Sequence, residues 1–118
     1  MDVGGPKTDL LLRLMSASTL RAKVIAGNVA NQNTPGYTRK TVAFEESLRR
    51  ALEGGEPIDA LAPEVREDRE APPRPDGNNV TLEVELNAMR ENRLMYETYT
   101  AILAGHFELL RSSIKDGN

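Results

Sequence analysis

Few side chains in this chain are of a type and spacing that could carry out a reaction. The single histidine, His106, falls among apolar residues at helical spacing, where an imidazole that packs or faces a partner is the simpler reading than a catalyst. Cysteine is absent, which excludes disulfides and Cys-based zinc or redox chemistry and leaves the compartment open. No serine sits in a nucleophile motif, and the acids around residues 76–85 lack the spacing of a calcium loop. Asn79-Val80-Thr81 fits a glycosylation acceptor. A three-residue match arises by chance, however, and Thr81 is placed to cap a helix. No catalytic, cofactor-binding or metal-ligating residue is expected.

Composition narrows the class further. At 118 residues the chain makes one domain. Fifteen basic against eighteen acidic residues give a net charge of −3, with no basic block to neutralise phosphates, so nucleic acid is not an expected partner. Two Phe, three Tyr and no Trp leave little to build a core, and the mean hydropathy is −0.47. No apolar run approaches the ~20 residues that span a bilayer, so membrane insertion is not expected. Met1–Lys7 lacks the charged-then-apolar layout of a secretory signal. The expectation is a cytoplasmic protein, or one that leaves the cell by a route needing no cleaved signal.

With chemistry unpromising, the informative stretch is Asn28-Val29-Ala30-Asn31-Gln32-Asn33-Thr34-Pro35-Gly36-Tyr37. Pro35 drives Thr34 out of the α region, and Pro-Gly supplies the two backbone conformations of a type II turn. Asn31 and Asn33 are suited to bonding the groups freed at a helix end. The stretch therefore stops a helix and redirects the chain.

The elements on either side follow from periodicity. The fold expected is all-α, with long N- and C-terminal helices pairing as an antiparallel coiled coil, a short middle helix, and a flexible linker rich in proline and charge. The first helix spans 8–31, capped by Thr8 or Asp9 after a loose tail, with Leu11, Met15, Ser18, Ala22, Ile25 and Val29 on one stripe. Residues 32–43 form the turn and an extended segment. The short helix covers 44–53, acidic at its start, basic near its end, and stopped by Gly54-Gly55. Residues 54–79 hold five of the seven prolines, seven acids and three arginines, too little apolar surface to offset ordering entropy.

The C-terminal helix spans 80–115. Leu82, Leu86, Met89, Tyr96, Leu103, Phe107, Leu110 and Ile114 follow a 4-3 spacing and are expected to form the seam against Leu11, Met15, Ala22, Ile25 and Val29. A second stripe, Met95, Tyr99, Ile102, His106 and Leu109, lies about 100° round. One partner helix covers one stripe, so the second is expected to face another molecule. Periodicity alone fits a cytoplasmic helical adaptor or export chaperone that dimerises as well as it fits a polymerising subunit.

Asn28-x-Ala30-Asn31-x-x-Thr34-Pro35-Gly36-Tyr37 resembles the signature that closes the N-terminal helix in the axial superfamily of bacterial flagellar rod and hook proteins. Asp76-Gly77-Asn78-Asn79-Val80-Thr81-Leu82-Glu83-x-Glu85-Leu86, with Glu91-Asn92-x-Leu94-x-Tyr96 and Phe107-x-Leu109-Leu110-Arg111-x-x-Ile114, is similar to the proximal-rod branch of that superfamily. The resemblance covers about residues 10–52 and 76–114. Thr81 stands where the branch usually has Asp, and the linker is short. The resemblance implies a structural subunit of the periplasmic rod of the flagellar basal body, exported unfolded through the flagellar type III apparatus without a cleaved signal peptide. It also implies self-assembly through the terminal helices, transmission of torque to hook and filament, and a share in lining the export channel. The implied partners are copies of the chain, other rod proteins, the rod adaptor FliE, the MS ring and the export apparatus. Another small flagellar axial protein is the nearest alternative.

Overall fold

The computed structural model describes residues 5–116, arranged as α1 (Gly5–Ala30), β1 (Lys40–Ala43), α2 (Glu45–Glu53), β2 (Glu64–Glu67) and α3 (Leu82–Asp116). Pro6 lies in the first turn of α1, where its missing N–H breaks no helical bond. The helix thus starts ahead of the Thr8 or Asp9 cap expected from sequence. Thr8 is instead buried inside it. Residues 1–4 of the expected tail lie outside the described residues.

α1 and α3 run in opposite directions, since Asn28 meets Glu85 near one end and Ser18 meets Asn92 further along. Thirty-five residues make α3 about 52 Å long, and the molecule measures 68 × 28 × 20 Å. α2 begins with Glu45 and Glu46 and carries Arg50 in its last turn, an order that complements the helix dipole. It packs on another side of α1, where Ala17, Phe44 and Leu48 form the core, flanked by Leu10, Leu14, Ile58 and Leu61.

The all-α expectation needs correction. β1 pairs antiparallel with β2, which lies inside the segment read as linker. The register sets Lys40 opposite Glu67 and Val42 opposite Val65. All four β2 residues are exposed. Main-chain pairing holds this strand, and hydropathy carries no trace of it.

The outer edge of β1 is closed by side chains of α1. Asn28 accepts from the Lys40 N–H (2.9 Å) and donates to the Lys40 carbonyl (2.8 Å), as a neighbouring strand's peptide group would. Two helical turns earlier, Arg21 donates to the Val42 carbonyl (3.1 Å).

Phe44 is the largest buried side chain, so Phe44→Ala is expected to cost about 3–5 kcal/mol. Leu52→Ala, at an exposed site on the adjoining α2, is expected to fall within about 0.5 kcal/mol of wild type. Urea unfolding of the two variants checks the contrast.

Candidate functional site

Two clusters of buried polar groups join the turn motif to the chain preceding α3. The first is made of loops. Thr34–Tyr37 forms a turn closed by the Tyr37 N–H on the Thr34 carbonyl (3.2 Å), with Gly36 at φ +75°. Against it lies the 76–79 loop, whose Asp76 carbonyl accepts from the Gly36 N–H at 2.8 Å. Asn78, fully buried, donates through Nδ2 to the carbonyls of Asn31 (2.9 Å) and Thr34 (2.8 Å). Its Oδ1 accepts from the Val80 N–H (2.7 Å). Gly77 has φ +87°, and a Cβ there would stand 3.2 Å from the Gly36 Cα, so the two backbones meet at two glycines. Asn31 closes the helix end by donating to the Gly27 carbonyl and accepting from Thr34 Oγ1. Ala30, Pro35 and Gly36 are exposed.

The second cluster is charged. Glu85 is wholly buried in the first turns of α3. Its Oε1 accepts from Arg39 Nε (2.7 Å) and its Oε2 from Asn28 Nδ2 (3.1 Å). Arg39 also donates through Nη1 to Asp68 (2.6 Å), and its own N–H is held by Asn79 Oδ1 (2.6 Å). Asn79 Nδ2 donates to the carbonyls of Asp68 and Ala71, and Tyr37 donates its hydroxyl to Asn28 Oδ1 (3.3 Å). Burial pulls the Arg39 guanidinium down, and hydrogen bonds from Glu85 and Asp68 more than offset it, leaving its pKa raised. The Arg39 hydrogen bond holds the Asp68 carboxyl below the ordinary carboxylate range, with burial opposing.

This arrangement binds the chain to itself. Among the described residues no three His, Cys, Asp or Glu side chains converge as a metal site requires, and no helix is long and apolar enough to cross a membrane. His106 is half-buried beside Phe107, with ring centroids 6.3 Å apart.

The stripes of α3 also need correction. Within this chain the face that meets α1 runs through Glu85, Asn92 and the half-buried Met95 and Tyr99, not through the seam expected from sequence. Asn92 Nδ2 donates to the Ser18 carbonyl (2.9 Å) at the centre of the contact. Burial raises the Tyr99 pKa, the Glu45 charge adds to this and the Arg21 charge opposes it.

Leu82, Leu86, Met89, Tyr96, Phe107 and Ile114 stay exposed, and Leu103 and Leu110 are half-buried. Of the second stripe, Ile102 and Leu109 are exposed whereas Met95, Tyr99 and His106 are half-buried. The physical reason is phase. Counting apolar residues ran the seam through 82, 86, 89 and 96, and the buried positions are the polar 85 and 92, on a line about 100° away. On α1, Leu11 and Ile25 are buried, Met15 and Val29 half-buried, and Ala22 exposed.

No protein-family model matches the chain. Individual relatives do. It is 30% identical to the flagellar basal body rod protein FlgB of Borrelia hermsii, over 98% of its own length and 100% of the relative's. Against FlgB of Escherichia coli the identity is 29%, over 95% and 98%, and against FlgB of Bacillus subtilis 23%, over 87% and 88%. This chain belongs to the FlgB family.

In this FlgB-family chain the two motifs read separately from sequence are the two halves of one contact. Arg39, Asp68 and Glu85 went unread as site residues. The one available signal was a glutamate seven residues before an asparagine, both in phase with half-buried Tyr99.

Two outcomes test the hub. Asn28→Ala removes bonds to Glu85, Tyr37 and Lys40 and strands buried partners, at about 1–3 kcal/mol for each group left unpaired. A urea midpoint indistinguishable from wild type would contradict the hub's role. The second outcome concerns acid. A carboxylate whose folded pKa is lowered contributes stability above its unfolded value of about 3.9, and that contribution is lost as pH falls through the folded value. Asp68→Asn should therefore unfold at lower urea than wild type at pH 7. The gap should narrow as pH falls below the unfolded value, and a gap unchanged by acid would refute the assignment.

Proposed function

We propose that this chain is a structural subunit of the proximal rod of the bacterial flagellar basal body, forming a single rod-subunit domain that assembles through its terminal helices. The observation that carries the reading is the incompletely covered apolar file on α3. Leu82, Leu86, Met89, Tyr96 and Phe107 keep the 4-3 spacing of a coiled-coil seam; Met89 and Tyr96 flank the α1 contact beside Ser18, Thr19 and Ala22, and all five stay more than a third exposed. From 82 to 107 this file runs about 38 Å, and apolar surface of that extent marks an interaction site. Antiparallel coiled-coil packing then belongs to the assembled rod, where helices of neighbouring subunits cover the file.

The family's name supplies the setting, since the relatives are flagellar basal body rod proteins. In that setting the partners are copies of the chain, other rod proteins, the adaptor FliE, the MS ring and the type III export apparatus. The subunit would reach the periplasm through that apparatus without a cleaved signal, help to carry torque from motor to hook, and line the export channel. Its role is mechanical and not enzymatic. The cytoplasmic adaptor reading has nothing in the relatives to support it.

Phe107→Asp and Ile102→Asp each place a charge on exposed α3 surface and remove little burial within the chain. Each lost intersubunit contact is worth roughly 1.5–3 kcal/mol. Both variants are expected to be exported in normal amounts, to be missing from purified basal bodies, and to abolish swimming. Phe107 lies on this file and Ile102 on the neighbouring stripe, so normal swimming by both would refute assembly through the exposed surface of α3. Retention of the wild-type chain in the cytoplasm as a soluble dimer would favour the adaptor.

A further inference from the structure

The loop that meets the turn motif contains an Asp-Gly pair, Asp76-Gly77. In such a pair the glycine nitrogen has no side chain shielding it from the preceding carboxyl group. It can attack Asp76 Cγ, forming a C–N bond, while the carboxyl hydroxyl leaves with the Gly77 proton as water. The product is a five-membered succinimide, which water then opens. Opening at the Cγ carbonyl restores aspartate. Opening at the α-carbonyl leaves isoaspartate, with the main chain running through Cβ and Cγ. One water leaves and one returns, so no other reactant is needed.

Asp76 and Gly77 are both exposed, so water reaches them freely. What the fold controls is the peptide unit between them. Its carbonyl accepts from the Gly36 N–H (2.8 Å), and its N–H donates to the Arg74 carbonyl (2.8 Å). The attacking nitrogen therefore has its proton engaged, and its peptide plane is pinned at both ends. The carboxyl is held as well, with Asp76 Oδ1 accepting from the Asn78 N–H (2.9 Å). Ring closure must release these bonds, and that requires the joint to open.

We propose that Asp76-Gly77 is a conditional modification site, shut in the folded chain and open in the unfolded one, and that isoaspartate at 76 prevents the joint from closing. The second part follows from the packing. Isoaspartate lengthens the main chain by one atom and takes the carbonyl that met Gly36 out of it. The contact has no slack to absorb this, since a single Cβ at Gly77 would already stand 3.2 Å from the Gly36 Cα. Asn78, the next residue, would be carried away from the carbonyls of Asn31 and Thr34. A chain that waits unfolded thus acquires a mark that blocks its later closure, and a closed chain does not.

The test incubates the wild-type chain at neutral pH, folded in buffer and unfolded in guanidinium chloride. Isoaspartate is read by peptide mapping with electron-transfer fragmentation, and by labelling with a protein L-isoaspartate methyltransferase. Asp116-Gly117, which like Asp76-Gly77 precedes an asparagine, is the internal reference in denaturant. Conversion at 76 is expected to be at least about tenfold slower in the folded chain. Equal rates at 76 in the two states overturn the protection. Conversion at 116 without conversion at 76 in denaturant overturns the site itself. Chains carrying isoaspartate at 76, enriched by reversed-phase chromatography and returned to buffer, are expected to unfold at lower urea than unmodified chains. A midpoint equal to that of unmodified chains overturns the block on closure.

Discussion

A fully buried carboxylate is the constraint on which this structure turns. Glu85 sits at the start of α3 where that helix meets α1, and an unpaired charge there would cost several kcal/mol. Arg39 neutralises it and Asn28 fills its second oxygen. Both partners are then committed. Asn28 must lie at the end of α1 facing β1, and Arg39 must enter β1 at the right register to reach Asp68 as well. The angle between the terminal helices, the position of β1 and the path of residues 68–79 all follow from satisfying one glutamate. Removing one partner of such a pair strands a buried charge, so the hub ties the first forty residues to the last forty.

The glycine contact has the same character. Gly36 and Gly77 let two backbones approach so closely that a Cβ at 77 would press on the facing Cα. Asn78 then converts that approach into hydrogen bonds with the end of α1. Two short motifs separated by some forty residues become one joint, with asparagine side chains standing in for main-chain partners.

What could be read from sequence was local. Pro35-Gly36 is legible as a turn because its chemistry lies within four residues. The helices are legible because their period repeats for many turns. The contacts that orient them were hidden by distance along the chain, since nothing near Arg39 announces Glu85 and nothing near Asn28 announces Lys40. The phase of α3 was misread for a related reason. Its buried line is marked by Glu85 and Asn92, residues that a hydropathy count assigns to solvent. β2 escaped notice because its side chains are all exposed and only its main chain is used. The apolar file on α3 was misassigned because helical periodicity marks an apolar stripe without saying what covers it.

The hub also sets an order of events in time. Asn28 and Arg39 lie 57 and 46 residues before Glu85, which they bond. A chain that emerges amino-terminus first, from a ribosome or through a narrow conduit, therefore presents α1 and the turn long before the carboxylate that fixes them. Until residue 85 is free, β1 lacks its final anchor and the loop glycines have nothing to meet. Closing loops of this length is slow beside helix formation. Closure of the joint therefore waits for residue 85, near the start of the chain's last third.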